Sequence, residues 1–248
     1  MLQDKKIKSI VYIMINYTDA HCHIISAPCP DTLVGRICDA TQQPEWDKIQ
    51  TILVDRTFAC IGVHPWHIKT VTQNWDSELR DMLIQNPRLM VGEIGMDKYH
   101  DNMTAQEQIF ITQLKIAAQL RRPVHVHCVG AFDKILHIFK ELNNSLPPLV
   151  VIHAFNGDTD IIQQLADKYN VYFSYGAPQD AKAESRILNT PQERLLVESD
   201  AFDNDTAIQK IEETTNTLAT IFGQEPNEFS EQIYQNFQRV ISYVRPID

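Results

Sequence analysis

Short apolar and β-branched runs alternate along this chain with helical patterns, and no linker interrupts the rhythm. The runs that read as strands are 12–21 (YIMINYTDAH), 33–40 (LVGRICDA), 58–65 (FACIGVHP) and 89–97 (LMVGEIGMD). Four more lie at 123–128 (PVHVHC), 149–155 (LVVIHAF), 171–177 (VYFSYGA) and 194–201 (RLLVESDA). Of the helical patterns between them, the one from Thr104 is well marked. Ile109, Ile111, Leu114, Ile116, Ala117 and Leu120 form an apolar stripe, with Thr104 as the expected N-cap and Glu107 at its capping-box position. Residues 204–222 and 230–243 predict two closing helices. Eight strand–helix alternations in 248 residues predict an α/β fold, a (β/α)8 TIM barrel forming one domain over 1–248. A doubly wound open sheet is the competing arrangement. A nucleotide-binding version would carry a glycine-rich turn after an early strand, and none is present.

A barrel carries its reactive groups at the C-terminal ends of its strands, and acids and imidazoles collect there in this chain. His21 and His23 end strand 1, His64 ends strand 3, and Glu93 and Asp97 end strand 4. His125 and His127 lie on strand 5, His153 ends strand 6, and Glu198 and Asp200 end strand 8. His21, His23, His127 and His153 supply imidazoles, and Glu93 and Asp200 supply carboxylates. Six N/O donors exceed one closed tetrahedral site and lack the thiolates of a structural zinc. Such a set suits Zn, Mn, Fe or Ni, and a pair of metals would need a bridging carboxylate. Cys22 and Cys128 adjoin these donors but point to the opposite face of an extended strand, so they read as packing residues.

Composition narrows the partners. An excess of 32 Asp+Glu over 22 Lys+Arg gives a formal charge of −10, which argues against a basic, sequence-independent grip on nucleic acid. It leaves room for a nucleic-acid substrate held by a few local contacts and metal ions. Five cysteines, with no C-x-x-C pair, read as reduced thiols of a cytoplasmic protein. The apolar run 10–15 is too short for a signal peptide's core, and no stretch approaches a membrane span. Residues 1–13 also admit a reading as an extension ahead of a start at Met14.

The segments DAHCHI, GVHPW, VGEIGMD, PVHVHC, IHAFNG and RLLVESDA occur in the order seen in the TatD-like metal-dependent hydrolases, amidohydrolase-type barrels many of which are described as deoxyribonucleases. The chain resembles that family from about Met14 to the C-terminal YQNFQRV. The resemblance implies two divalent metal ions, one held by His21, His23 and Asp200, the other by His127 and His153, with Glu93 bridging. It implies that Asp200 and Glu93 are catalytic, that His64 faces the substrate phosphate, and that DNA, as single strands or chain ends, is cleaved by a metal-activated water. Two departures stand out. Val129-Gly130 replaces the Arg-Asp that often comes after the strand-5 HC, removing a phosphate-binding arginine. Ala201-Phe202-Asp203 replaces the usual Ala-Pro-Tyr.

Weaker candidates surround this set. Asp19 is expected to orient a liganding imidazole, and Asp97 either orders its loop or touches substrate. His125 reads as a core residue one layer deeper, and His67, His100 and His137 as surface residues. His64 has a second reading, as the residue that orders the HPW turn through backbone hydrogen bonds. Trp66, Tyr99, Phe155 and Phe202 come just after strand ends, where they would either stack on bases or close the barrel mouth. Two alternatives accompany the phosphodiesterase reading: hydrolysis of a small amide, ester or lactone, and a catalytically silent barrel that serves as a binding protein. No obligate protein partner is evident.

Overall fold

All eight expected strands form, and each pairs in parallel with its neighbour in chain order. The computed structural model describes residues 15–54 and 56–244. The strands are β1 (Tyr17–Cys22), β2 (Leu33–Asp39), β3 (Thr57–Ile61) and β4 (Leu89–Asp97), then β5 (Val124–Val129), β6 (Val150–Ile152), β7 (Val171–Tyr175) and β8 (Leu195–Val197). The first strand starts later than the pattern suggested; residues 12–14 of that expectation, and the proposed extension 1–13, lie outside the described residues. Helices α1 (Trp46–Gln50), α2 (Trp75–Gln85), α3 (Met103–Gln119), α4 (Phe132–Leu142), α5 (Thr159–Lys168) and α6 (Ala183–Asn189) fill the crossovers from β2 to β8. No helix among the described residues joins β1 to β2. After β8 come α7 (Asn204–Phe222) and α8 (Pro226–Ile241).

The sheet closes just past the strand ends. Asp200 N–H donates to the His21 carbonyl at 3.0 Å and His23 N–H to the Ala201 carbonyl at 2.8 Å, so the segment after β8 is stitched to β1. This is a (β/α)8 barrel whose last seam is also part of its mouth. Ala20, Ile37, Met90, Val151 and Leu196 fill its interior in one apolar cluster with Phe237, Val240 and Ile241 of α8. That helix therefore packs across the end opposite the strand C-termini. A larger cluster lies between the sheet and its outer helices.

Two strands depart from regular pairing where chemistry was expected. Between the pairs Asp19–Arg36 and Cys22–Cys38, three steps of β1 oppose two of β2. Between Val91–Val124 and Ile94–Val126, three steps of β4 oppose two of β5. A bulge of this kind reverses side-chain alternation and re-aims the residues beyond it. In β4 it brings Glu93 to the same interior side as Met90, three residues earlier, where strict alternation would put the two on opposite faces.

Caps differ from the expected ones at α3. Asn102, in the left-handed region at φ 62°, is the N-cap, and its side chain accepts from Ala105 N–H at 3.2 Å. Thr104 lies inside the helix, and Glu107 pairs with Lys134 at 2.9 Å instead of closing a capping box. Asn tolerates the left-handed conformation and its short amide reaches a free N–H of the first turn, which explains why it displaces the threonine. Helix α7 begins at the Asp203 cap and ends on Gly223 at φ 64°. No described helix is long and apolar enough to cross a membrane.

Gly95 (φ 147°) lets β4 approach β5 closely, since a Cβ there would overlap the His127 carbonyl oxygen. Gly95→Ala is therefore expected to destabilise the fold by about 2–5 kcal/mol, the sum of backbone strain and overpacking. Gly223→Ala, where nothing lies within 4 Å, should cost only about 1 kcal/mol. Urea unfolding of the two variants checks the contrast; equal losses would show that the β4–β5 approach is not what Gly95 protects.

Candidate metal centre

Seven side chains from β1, β3, β4, β5, β6 and the β8 turn converge at the mouth. Glu93 stands in the middle, and its two carboxylate oxygens face different groups. Oε1 lies 2.8 Å from His153 Nε2, 3.0 Å from His127 Nδ1 and 3.2 Å from His64 Nε2. Oε2 lies 3.7 Å from both His21 Nε2 and His23 Nε2. On that side Asp200 Oδ1 is 3.2 Å from His23 Nε2 and 3.9 Å from His21 Nε2. The two imidazoles of each group also face one another, at 3.3 Å for His21 and His23 and 3.1 Å for His127 and His153. All seven predicted residues are thus brought together, and His64 sits beside the second group of donors. It meets both of its readings in part, because Nδ1 accepts from Trp66 N–H at 3.2 Å and orders the turn Pro65–His67.

The arrangement fits divalent cations on the orientation of its imidazoles. Ligands about 2.1 Å from a shared ion lie roughly 3.0–3.4 Å from each other, the spacing of His21–His23, His23–Asp200 and His127–His153; Glu93 Oε2 at 3.7 Å and the Asp200–His21 pair at 3.9 Å stand wider. Four of the five imidazoles turn their other nitrogen towards a protein oxygen, whereas that of His64 accepts from Trp66 N–H. His21 Nδ1 is 3.1 Å from Asp39 Oδ2, and His23 Nδ1 is 3.0 Å from the Asp39 carbonyl. His127 Nε2 is 3.3 Å from Asp97 Oδ2, and His153 Nδ1 is 3.7 Å from Glu198 Oε1. A hydrogen bond behind the ring, the usual support of a metal-binding histidine, holds His23 and His127, while His21 Nδ1 and His153 Nδ1 lie near their carboxylates without making one. Clusters His21–Glu93–His153, His21–His23–Asp200 and His64–Glu93–His127 could each hold an ion.

Electrostatics are set by burial and proximity. Burial would push the Glu93 carboxyl up, but the surrounding His153 and His64 hold it well below the usual carboxylate range. The hydrogen bond from His23, outweighing burial, keeps Asp200 ionised as well. Burial alone would lower His23, yet Asp200 and Glu93 raise it to about 9. His64 is the exception: burial outweighs Glu93 and lowers it to about 4, so it stands neutral at the mouth. The side chains of His21, His64 and Glu93 are almost wholly buried, whereas that of Asp200 is 48% exposed and faces the open cleft. Asp200 and Ala154 both adopt positive φ, 48° and 44°, uncommon for residues with a Cβ. The seam on β1 holds Asp200 there.

Some supporting residues were missed or misassigned by the sequence pattern. Asp19 does not touch an imidazole. Its carboxylate accepts from Ser199 N–H at 3.0 Å, Ser199 Oγ at 2.6 Å and the His21 backbone N–H at 3.2 Å, anchoring the turn that carries Asp200. The expected orienting role falls to Asp39, fully buried at the end of β2, whose Oδ2 also lies 3.2 Å from His125 Nδ1. Burial opposes ionisation of Asp39, but His125 and His21 hold it far below its ordinary range. The signal was available, since an acid ending a strand-2 run is what a barrel site would use. Glu198 accepts from Ala154 N–H at 2.8 Å and from Ser174 Oγ. From α3, buried Gln106 clamps Asp97 through its N–H (2.8 Å) and carbonyl (3.1 Å), and Gln113 does the same for Val63 at 2.7 and 3.1 Å. Asp97 orders its loop, accepting from Tyr99 N–H at 2.9 Å and Trp66 Nε1–H at 2.8 Å. His125 is the core residue expected, and Cys22 and Cys128 are buried free thiols.

Beside Asp200 lies a cavity of about 290 Å3 between the β6, β7 and β8 loops, reached by Arg186 and Lys210. Arg186 pairs with Asp180 at 2.7 Å, and Lys210 Nζ donates to the Ser199 carbonyl at 3.0 Å.

Known proteins share this architecture. Residues 18–242 match the family model described as TatD related DNase. A Citrobacter koseri protein described as 3'-5' ssDNA/RNA exonuclease TatD is 33% identical over 181 residues, 67% of this chain and 67% of that protein. A Bacillus subtilis protein described as uncharacterized metal-dependent hydrolase YabD is 23% identical over 203 residues, 73% of this chain and 78% of that one. Among solved structures, the TatD homolog YJJV of Escherichia coli k12 superposes with a TM-score of 0.80 at 20% identity, covering 92% of this chain and 98% of that chain.

Removing the acceptor behind His21 should loosen the site without unfolding it. Asp39→Asn is expected to weaken divalent-cation affinity roughly 10–100-fold, read by competition with a chromogenic chelator on protein whose circular dichroism is unchanged. Wild-type affinity in the variant would remove Asp39 from the support of the centre.

Proposed function

The chain belongs to the TatD related DNase family of metal-dependent hydrolases, and on that premise we propose that it is a phosphodiesterase acting on single-stranded DNA or chain ends. The reading is supported chiefly by Glu93, whose two oxygens divide the donors into two adjoining groups. We assign His21, His23 and Asp200 to one divalent cation, His127 and His153 to a second, and Glu93 to both. Such a pair, when bound, supplies a water acidic enough to attack near neutral pH and positive charge for the attacking and leaving oxygens.

The chain's own residues then have separate tasks. Asp200, ionised and half exposed, takes the proton of the attacking water onto its carboxylate. Glu93 fixes the separation of the two groups. His64, with Nδ1 committed to Trp66 N–H, carries its proton on Nε2 and donates a hydrogen bond to a non-bridging phosphate oxygen when the substrate displaces its contact with Glu93. Asp19 and Ser199 hold the turn that aims Asp200. The phosphate-binding arginine replaced by Val129-Gly130 has local substitutes. The stem of Lys98 crosses the space a side chain at Gly130 would fill, and Arg186 and Lys210 line the cleft beside Asp200. Lys210, bonded only to the Ser199 carbonyl, and Arg186, already paired with Asp180, would bring positive charge to the cleft in a chain that is acidic overall. Five buried free cysteines suit a reducing, cytoplasmic setting.

The test is a panel of labelled single-stranded DNA, RNA, duplex DNA and small esters, run with Mn, Mg and Zn. Hydrolysis of single-stranded DNA, reduced roughly 10²–10⁴-fold in kcat by Asp200→Asn, is the expected result. Turnover of small esters alone, abolished by the same substitution, would replace the nuclease reading with the small-ester one.

A further inference from the structure

We infer that Trp66 and Phe202 are base-stacking platforms, one on each side of the centre, that make the site selective for unpaired bases. This rests on the nuclease reading and names the residues by which that site would tell single strands from duplex. Four aromatics come just after strand ends at the mouth, and the structure divides them. Phe155 is buried at 3% exposure, packed edge-on against Phe132 and Phe173 at 5.2 and 4.9 Å; it closes the barrel wall. Tyr99 is exposed, but the Lys98 ammonium lies over its ring at 5.0 Å and takes the face a base would need. Trp66 and Phe202 are 52% and 73% exposed, and both rest on imidazoles of the mouth.

Each ring is held from below and open above. Phe202 lies near-parallel to His23, with centroids 4.9 Å apart and planes at 26°. Its backbone is pinned on both sides, by the Ala201 carbonyl on β1 and by Asp203, the cap of α7. The Trp66 indole donates Nε1–H to Asp97, lies near-parallel to His100 at 4.6 Å and 21°, and meets His64 edge-on at 4.9 Å. Its backbone N–H is held by His64. One face of each ring is thus occupied and the other left to solvent, which an aromatic that merely plugged the mouth would not show. A large apolar face fixed in place loses little freedom when a ligand covers it. The rings belong to different donor groups: Phe202 lies on His23, while Trp66 stands 5.9 Å from His127. A chain whose phosphate sits over Glu93 would therefore pass one ring on either side. Stacking needs a free base face, so bases engaged in a duplex cannot use either platform.

The ligand for the test is a short phosphorothioate-linked oligothymidylate, which resists cleavage, compared with an abasic oligomer of equal length and charge. Cation-loaded protein is expected to bind the base-bearing oligomer far more tightly than the abasic one. Trp66→Leu and Phe202→Leu should each weaken binding of the base-bearing oligomer roughly tenfold, and Phe202→Tyr should retain it. Quenching of tryptophan fluorescence on binding should vanish in Trp66→Leu, a signal that a purely structural role would not move. Equal affinity for the two oligomers, or wild-type binding in both leucine variants, overturns the platforms while hydrolysis of DNA leaves the nuclease reading intact. Absence of both binding and hydrolysis of any oligonucleotide, with small esters turned over, overturns the nuclease reading and the platforms with it.

Discussion

A carboxylate buried at the mouth of a barrel needs compensation, because an ion of that size taken out of water without partners loses several kcal/mol. Glu93 is compensated by five imidazoles delivered from β1, β3, β5 and β6. Each of those histidines is meaningful only if its strand ends at the right height, so the centre and the strand register impose one constraint. The bulges in β1 and β4 are where that constraint is met, since they turn His21 and Glu93 inward at the last residues before the mouth. The barrel could close without them. The donors could not meet.

Around the donors, a ring of acceptors converts proximity into direction. Asp39, Asp97 and Glu198 stand behind different imidazoles, and two of them are themselves fixed by backbone N–H groups, Asp97 by Tyr99 and Glu198 by Ala154. Gly92 leaves the room for this below Glu93, for a Cβ there would come within 2.8 Å of Asp39 Oδ1 and 2.7 Å of His125 Cβ. The buried glutamines of α3 extend the same logic outward, tying the loops after β3 and β4 to a helix and not to solvent. Free imidazoles in a wet loop would choose among tautomers; His23, His64 and His127 have one nitrogen committed in advance.

Much of this was legible in the chain. Strand–helix alternation is a local property of side chains, so all eight strands and the two closing helices could be placed from hydrophobic pattern alone. The convergence of His21, His23, His64, Glu93, His127, His153 and Asp200 came from the barrel rule that strand ends share one rim. The features that escaped depend on geometry that spacing does not encode. A bulge adds one residue without any mark in the pattern, so Glu93 reads as ordinary alternation with Asp97. Asp19 and Asp39 are both acids on neighbouring strands; only the closure of β8 onto β1 decides that the first holds Ser199 and the second His21. The cap at Asn102 was passed over for a threonine with a capping-box glutamate, and it is the left-handed backbone at Asn102 that decides the helix start.

An acidic chain is an unexpected host for the polyanion proposed as its substrate, and the geometry narrows how the two would meet. At physiological ionic strength charges are screened beyond about 8 Å, so the carboxylates scattered over the helices matter little to a phosphate at the mouth. On the proposed reading its neighbours there would be local: Lys98, Lys210 and Arg186 (itself paired with Asp180), the neutral His64, and the two donor groups. Those few charges cannot supply the large salt-sensitive attraction on which basic nucleic-acid-binding surfaces rely. Under the proposed function, affinity in such a site would come from contacts that salt does not erase, inner donors for the phosphate and ring faces for its bases. That requirement explains why aromatic rings left open to water are tolerable at this rim, where elsewhere on the surface they would be a liability.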